Sequence, residues 1–538
     1  MLSLNREGIK DKKPWQSADI ELPQFDIDKM MACTAKTPTW IHFGAGNLFR
    51  GYIAALQQML LDNGKAETGI IAVESYDHEI IDRIYSPYDS FALLVTMQSD
   101  GALRKKVIGS IAEGLVGDFS REVDWSRLNA LFTSPSLQMV TFTVTEKGYG
   151  IRNPAGDYYE DVRRDLSNGP SQPVHLMAKV TSLAYTRYKN GAFPIALVSM
   201  DNCSHNGEKL QDAVLEIAGK WVENGFADKG FLKYISDPNK VSFPRSMIDK
   251  ITPRPSETVK DSLDAIGLED TEILCTAKKT FIAPFVNTEE AQYLVVEDSF
   301  PNGRAPLEAA GVYFTDRSTV DKADKMKVCT CLNPLHTALA VFGCLLGYTG
   351  IADEMKDTTL KKLIGKLGFE EGLPVVADPG IINPEEFIRK VIEERFPNPY
   401  IPDTPQRIAT DTSLKIGIRF GETIKSYNER MDLEPSKLIC VPLVIAGWFR
   451  YLLGVDDNGE TMSLSPDPML EELRMQLSGI KLGYGDSIGD SLKSLLSNER
   501  IFGSNLYDAG LGEKIEGYLR EMTAGKHAVR ATLEKYLK

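Results

Sequence analysis

Thr39-Trp-Ile-His-Phe-Gly44-Ala-Gly46-Asn-Leu-Phe-Arg50 is the stretch that decides the fold. Its first five residues read as a short apolar strand running directly into two glycines. A helix is expected from about Leu48 to Asp62. Leu48, Phe49, Tyr52, Ile53, Leu56, Met59 and Leu60 keep a 3.6-residue period there, and Gly64 supplies a stop. Gly69-Ile-Ile-Ala-Val73 is the next strand and ends at Glu74. Strand, glycine turn, helix, strand and acid, in that order, make the first half of a dinucleotide-binding fold. Gly44 and Gly46 let backbone N–H groups and the helix N-terminus meet a pyrophosphate. Asn47 and Phe49 belong to the same candidate cofactor turn, with Phe49 where a third glycine is usual. Arg50, in the first helical turn, is within reach of a phosphate or is a surface cation. Glu74 is placed to accept from a ribose diol and to repel a 2′-phosphate, which favours NAD over NADP.

Further strands are expected over Phe91–Thr96, Leu137–Thr145, Pro194–Met200 and Gln292–Glu297, with a helix over about Gly207–Asn224. Pro194–Met200 is a continuous apolar run, as in a strand buried on both faces. Beyond about 318 the pattern turns helical, over 318–348, 353–367, 384–394, 413–431, 436–453, 468–478, 487–498 and 508–536. The expected architecture is α/β: an N-terminal extension (1–35), a Rossmann-like nucleotide-binding domain (36–290), and a mostly α-helical C-terminal domain (291–538) carrying substrate and catalytic groups.

A chain of 538 residues, 43 % hydrophobic and 25 % charged, is in the range of a multidomain globular protein. A net charge of −14 argues against nucleic acid as a partner. No apolar run reaches the ~18 residues that span a bilayer, so no membrane partner is expected. The start, Met1-Leu-Ser-Leu-Asn-Arg-Glu7, lacks a signal-peptide pattern, and a cytoplasmic location follows as the expectation. The seven cysteines are scattered and odd in number, as in a protein of reduced, buried thiols. Asp201-Asn-Cys203-Ser-His205 holds three ligand types without a second cluster, so no metal is expected. A monomer or weak homo-oligomer fits the absence of a long exposed apolar stripe.

Lys327-Val-Cys-Thr-Cys-Leu-Asn333-Pro-Leu-His336 gathers a proton carrier, an amide and an imidazole. Such a set can serve alcohol–ketone interconversion without a metal. Elsewhere, Glu146 and Asn202 end apolar strands, where α/β sheets bind ligands. Asp249 is a candidate substrate-binding residue. Asn202 fits a turn cap equally, His336 a core histidine, and Asp249 a buried ion-pair partner.

The chain resembles the polyol-specific long-chain dehydrogenases, the mannitol dehydrogenase family. The likeness rests on six segments: His42–Arg50, Thr141–Tyr149, Val198-Ser-Met-Asp-Asn202, Phe243-Pro-Arg-Ser-Met-Ile-Asp249-Lys-Ile-Thr-Pro253, Trp448–Gly459 and the Lys–Asn–His run. The resemblance implies an NAD-dependent oxidoreductase with Lys327 as acid/base and Asn202 and Asn333 as oxyanion donors. It implies further that His336 and Arg450 bind substrate, and that Asp324 gates proton exit beside the lysine. The implied partner is a small sugar acid or polyol. The chain looks most like the fructuronate reductases, with tagaturonate reductase and mannitol 2-dehydrogenase as alternatives. For a substrate carboxylate, Arg450, Lys147, Arg245 and Arg254 are the candidate cations.

The run departs from the family in one place: five residues, not four, separate Lys327 from Asn333. On a regular helix this turns Lys327 about 180° from His336, against ~80° at the usual spacing. A π-bulge or break near Pro334 would absorb the extra residue. A homologue that binds nucleotide without catalysis is the rival that the altered spacing allows.

Overall fold

The structure is a computed structural model and describes residues 1–483 and 489–538, with backbone alone at 489–491. It divides into two compact units, Met1–Gln98 with Ala102–Val320, and Asp321–Lys538 with Ser99–Gly101.

The first unit is built on a six-stranded sheet of β1 (Trp40–Phe43), β2 (Ile70–Glu74), β3 (Ile111–Val116), β4 (Met139–Phe142), β5 (Ile195–Ser199) and β6 (Val241–Ser242). Their order is β3-β2-β1-β4-β5-β6, and every pairing is parallel. The strand order reverses between β1 and β4, which is where such sheets bind ligands. Alternation along each strand feeds two cores. Ile41, Phe43, Ile71, Val73, Val140, Phe142, Ile195 and Leu197 pack on one face. Trp40, Ile70, Ala72, Met139, Ala196 and Val198 pack on the other. Both faces being buried explains why these strands read as unbroken apolar runs.

The expected helix at 48–62 is present as a π turn, Phe49–Ile53, continuing into the α-helix Ala54–Asp62. The helix Asn206–Glu223 follows β5 as expected. The strand expected over 137–145 is shorter. Asp201 takes the Val144 and Thr145 N–H groups at 2.9 Å each, Thr145 turns to φ +64°, and a one-turn helix Thr145–Tyr149 begins. Residues 1–35 supply two helices and the strand Ile20–Glu21, which pairs in parallel with Leu103–Ile108; Leu2, Leu4, Trp15 and Met30 are buried. Tyr293–Glu297 pairs with Ser246–Asp249 and with Tyr313–Thr315. That pairing carries the first unit past residue 290, to Val320.

The second unit is helical. The helical run Arg317–Leu346, which enters this unit at Asp321 and is interrupted at Leu332, is long and apolar enough to cross a membrane, but 83 % of its apolar window is buried inside the protein, as in a core helix. Gly447, on the helix Cys440–Leu452, allows close packing, because an added Cβ would lie 2.6 Å from the Phe342 ring. Some expected helices are broken by caps. Asp357 accepts from the Thr359 and Leu360 N–H groups and splits 353–367 into Ile351–Glu354 and Thr358–Gly365. Asp457 accepts from the Val529 and Arg530 N–H groups, and His527 adopts φ +63°, so 508–536 becomes Gly512–Met522 and Ala528–Tyr536. The helix expected over 487–498 is seen as Gly489–Leu496, and 487–488 lie outside the described residues. Among the described residues four π turns punctuate this unit: Lys327–Cys331, Lys366–Gly372, Val391–Arg395 and Gly417–Gly421. All seven cysteines are free; Cys275 is exposed, Cys33 and Cys203 are half-buried and four are buried.

Candidate active site

The glycine turn leaves β1 at the strand reversal. Gly44 has φ +100°, and an added Cβ would stand 2.1 Å from the Thr143 carbonyl oxygen. Only glycine fits there. Gly46 differs, because an added Cβ would have nothing within 4 Å. Neither backbone nor packing demands glycine at 46, whereas a pyrophosphate lying against the chain would. The turn therefore fits a dinucleotide.

Several expected cofactor contacts prove to be supports for the turn. Glu74 is buried, with Oε2 accepting from the Ala45 N–H at 3.0 Å and Oε1 from the N–H groups of Tyr76 and Asp77. Burial nevertheless pushes its pKa up, against those three donors. Its carboxylate braces the turn, so the ribose argument for NAD loses its geometric basis. Arg50 is 1 % exposed and donates to the Ala283 carbonyl and to Asn47 Oδ1, rather than lying open to a phosphate. Asn47 in turn donates to the Pro253 carbonyl at 3.4 Å. Phe49 is wholly buried and stacks on His42 at 4.2 Å; it is a core residue, not a cofactor contact. His42 bonds Thr141 and Thr143 through its two ring nitrogens, and burial lowers its pKa to about 3. A neutral imidazole thus ties β1 to β4 beneath the turn.

At the ends of β4 and β5, Asn202 is exposed one residue after Asp201. Asp201 fixes that corner: besides the two amides it accepts from the Tyr149 hydroxyl at 2.5 Å. Glu146 is exposed and ion-paired with Lys209, and Lys147 is exposed beside it. Arg254 is exposed, with its guanidinium 4.8 Å above the Phe281 ring. Asp249 is 5 % exposed at the end of its strand, where its charge raises the pKa of Tyr52 after burial has done most of that work. Arg245 is bound to Glu208 and unavailable to a substrate.

In the second unit Lys327 opens a π turn and is 2 % exposed, so it is not a solvated surface lysine. Asp324 is half-buried one turn earlier, and Lys325 faces outward to pair with Glu422 at 3.0 Å. Leu332 leaves helical geometry (φ −130°, ψ −63°), and the helix restarts at Asn333 with Pro334 in its first turn. Asn333 is half-buried, and its side-chain amide has no hydrogen bond among the described residues. His336 carries a buried Nε2 without a hydrogen-bond partner, 3.5 Å from Asp403 Oδ2, with the ring 5.0 Å from Phe396. Burial lowers its pKa to about 3, and four neighbouring cations push the same way: Arg419, Arg407, Arg395 and Lys415. A neutral ring cannot make an ion pair, so Asp403 belongs to Arg407.

Those four cations were not among the sequence candidates. The candidate Arg450 is corrected: it is wholly buried and donates to the carbonyls of Met522, Val455 and Asp456. It ties the loop after its helix to the last residue of Gly512–Met522, and its Nε, Nη1 and Nη2 are each engaged by a backbone carbonyl.

Comparison with known proteins agrees with this layout. Residues 38–307 match the mannitol dehydrogenase Rossmann domain and 319–523 the mannitol dehydrogenase C-terminal domain. The chain is 55 % identical to D-mannonate oxidoreductase of Thermotoga maritima, over 99 % of each chain. It is 28 % identical to mannitol 2-dehydrogenase of Neosartorya fischeri, covering 100 % of this chain and 99 % of the other. Among solved structures, Pseudomonas fluorescens mannitol 2-dehydrogenase, in ternary complex with NAD and D-mannitol, superposes with a TM-score of 0.70 at 25 % identity, over 100 % of this chain and 99 % of that one. The chain, with a Rossmann-fold unit followed by a helical one, belongs to the mannitol dehydrogenase family.

Proposed function

We propose that the chain is an NAD-dependent fructuronate reductase, interconverting D-mannonate and D-fructuronate. The observation that carries this reading is the 55 % identity, end to end, with a D-mannonate oxidoreductase. The cation-rich surroundings of His336 add to it, because a sugar acid needs a positive field that a polyol does not.

NAD(H), when bound, accepts or supplies the hydride. The Gly46 end of the turn would hold its pyrophosphate, while the Gly44 N–H donates to the Val73 carbonyl and the Ala45 N–H to Glu74, which hold the turn in shape. Lys327 gives a proton to the substrate oxygen during reduction and takes it back during oxidation. Its burial keeps bulk water from competing for that proton. The Asn333 amide donates to that oxygen as charge builds on it. His336, neutral and with a buried ring nitrogen that has no hydrogen bond among the described residues, serves one substrate hydroxyl. Asp324 passes the proton onward from Lys327. A cytoplasmic, monomeric or weakly self-associating protein is part of the same proposal, in keeping with seven unpaired thiols.

Absorbance at 340 nm tests the reading, with fructuronate, tagaturonate and fructose each offered with NADH and with NADPH. Turnover highest on fructuronate with NADH is expected. Preference for tagaturonate or fructose would reassign the substrate, and silence on all three would favour a nucleotide-binding homologue without catalysis.

A further inference from the structure

Four cations crowd one neutral imidazole whose Nε2 is buried, and three of them are already occupied or engaged. Arg407 is ion-paired with Asp403. Lys415 donates to the Thr410 carbonyl at 2.5 Å and has Asp411 and Asp467 nearby. Arg395 ends its own π turn and has further interactions. Arg419 differs. Its one hydrogen bond among the described residues is donated to the Thr337 hydroxyl, on the residue next to His336. No carboxylate pairs with it among the described residues, and burial lowers its pKa to about 10 with no acid offsetting the shift.

The backbone holds Arg419 in place. It lies in the π turn Gly417–Gly421, pressed against the chain at 501–502. An added Cβ would stand 2.6 Å from the Ile501 carbonyl oxygen at Gly417, and 1.9 Å from that of Phe502 at Gly421. The two glycines let the turn seat closely, and Thr337 fixes the end of the side chain. A half-buried guanidinium without an acid is electrostatically incomplete, and the complement it lacks is an anion of carboxylate shape.

We propose that Arg419 is the specificity-determining residue for a sugar acid over a polyol: its guanidinium pairs with the substrate carboxylate while His336 holds a hydroxyl of the same molecule. The inference rests on the hexuronate reading above and deepens it. It is distinct from charge steering by the cluster as a whole, because a guanidinium fork pairs two oxygens at once and a point charge does not.

Calorimetric binding of D-mannonate and of D-mannitol, each with NAD present, tests it on the full chain and on Arg419→Met and Arg419→Lys. The wild type should favour mannonate. Arg419→Met should weaken mannonate by roughly 100-fold, the loss of one charge-assisted pair, and change mannitol by less than about 3-fold. Arg419→Lys, the variant to use if Arg419→Met fails to fold, should retain only part of the preference. Equal losses on both ligands, or an unchanged mannonate affinity in either variant, would overturn the proposal. A wild type that selects mannonate through Arg419 yet reduces no hexuronate would sink the reaction assignment and leave this inference standing.

Discussion

The Leu332 N–H donates to the Lys327 carbonyl at 3.2 Å, a bond that spans five residues and closes a π turn. That bond answers the register problem posed by the extra residue before Asn333. A π turn takes up one residue more than an α turn, so nine steps from Lys327 to His336 behave as eight. The angle between them then falls from about 180° toward ~80°. Leu332 makes a further break, and Pro334, which has no N–H to offer, starts the next helix. Charged residues recur on such turns in this unit: Lys327, Glu371, Arg395 and Arg419 all lie within them.

Lys327→Ala should lower kcat for fructuronate reduction by about 10³-fold or more, since it removes the proposed general acid. The Kd for NADH, read by fluorescence titration, should stay within a few-fold. Near-normal turnover would end the assignment of Lys327 as the proton carrier.

The two glycines of the nucleotide turn should part company. Gly44→Ala places a Cβ against the Thr143 carbonyl and forces an alanine to φ +100°, so a drop in Tm is expected, on the order of a few kcal/mol of stability. Gly46→Ala meets no atom within 4 Å and should melt close to wild type. Its NADH affinity should nonetheless fall by roughly tenfold or more, because the added methyl occupies the pyrophosphate's approach. Equal NADH affinity in Gly46→Ala and wild type would argue against the turn as the cradle.

Arg450→Met tests a structural arginine. Removing it leaves the Met522, Val455 and Asp456 carbonyls without their donor inside the unit, at a cost of about 3 kcal/mol or more. Denaturant unfolding should show that loss, while the folded fraction keeps its KM. A raised KM with unchanged stability would return Arg450 to substrate binding.

Glu354 gives a pH signature. It is wholly buried, neither carboxylate oxygen has a hydrogen-bond partner among the described residues, and burial raises its pKa to about 9. A folded-state pKa above the unfolded value means that the native protein binds this proton more tightly. The contribution is therefore complete below about pH 4.5 and is lost as pH rises toward about 9. Glu354→Gln removes that titration. Unfolding free energy measured from pH 5 to 9 should fall more steeply in wild type than in the variant, and parallel profiles would show that the carboxyl does not titrate there.

Much was legible in the sequence because it is local. The Rossmann half-motif could be read from Thr39 to Glu74, since strand, glycine turn and helix each leave a short-range periodicity. The distortion at Lys327–His336 could be inferred because one surplus residue beside a proline has few geometric outlets. The helix breaks at Asp357 and at His527 could not, because the carboxylates that capture those amides override a helical pattern that is otherwise intact.

The sequence by itself determined the element order, the parallel sheet, the family and the residues able to carry a proton. Tertiary structure alone decided where the long polar side chains end. Arg450 and Arg419 look alike in sequence, both lying in strongly patterned helical segments, yet one is engaged by carbonyls that include Met522, seventy-two residues away, and the other has no acid beside it among the described residues. The physical reason is reach: a guanidinium is satisfied by whatever oxygen folding brings to it, and that oxygen can come from any part of the chain.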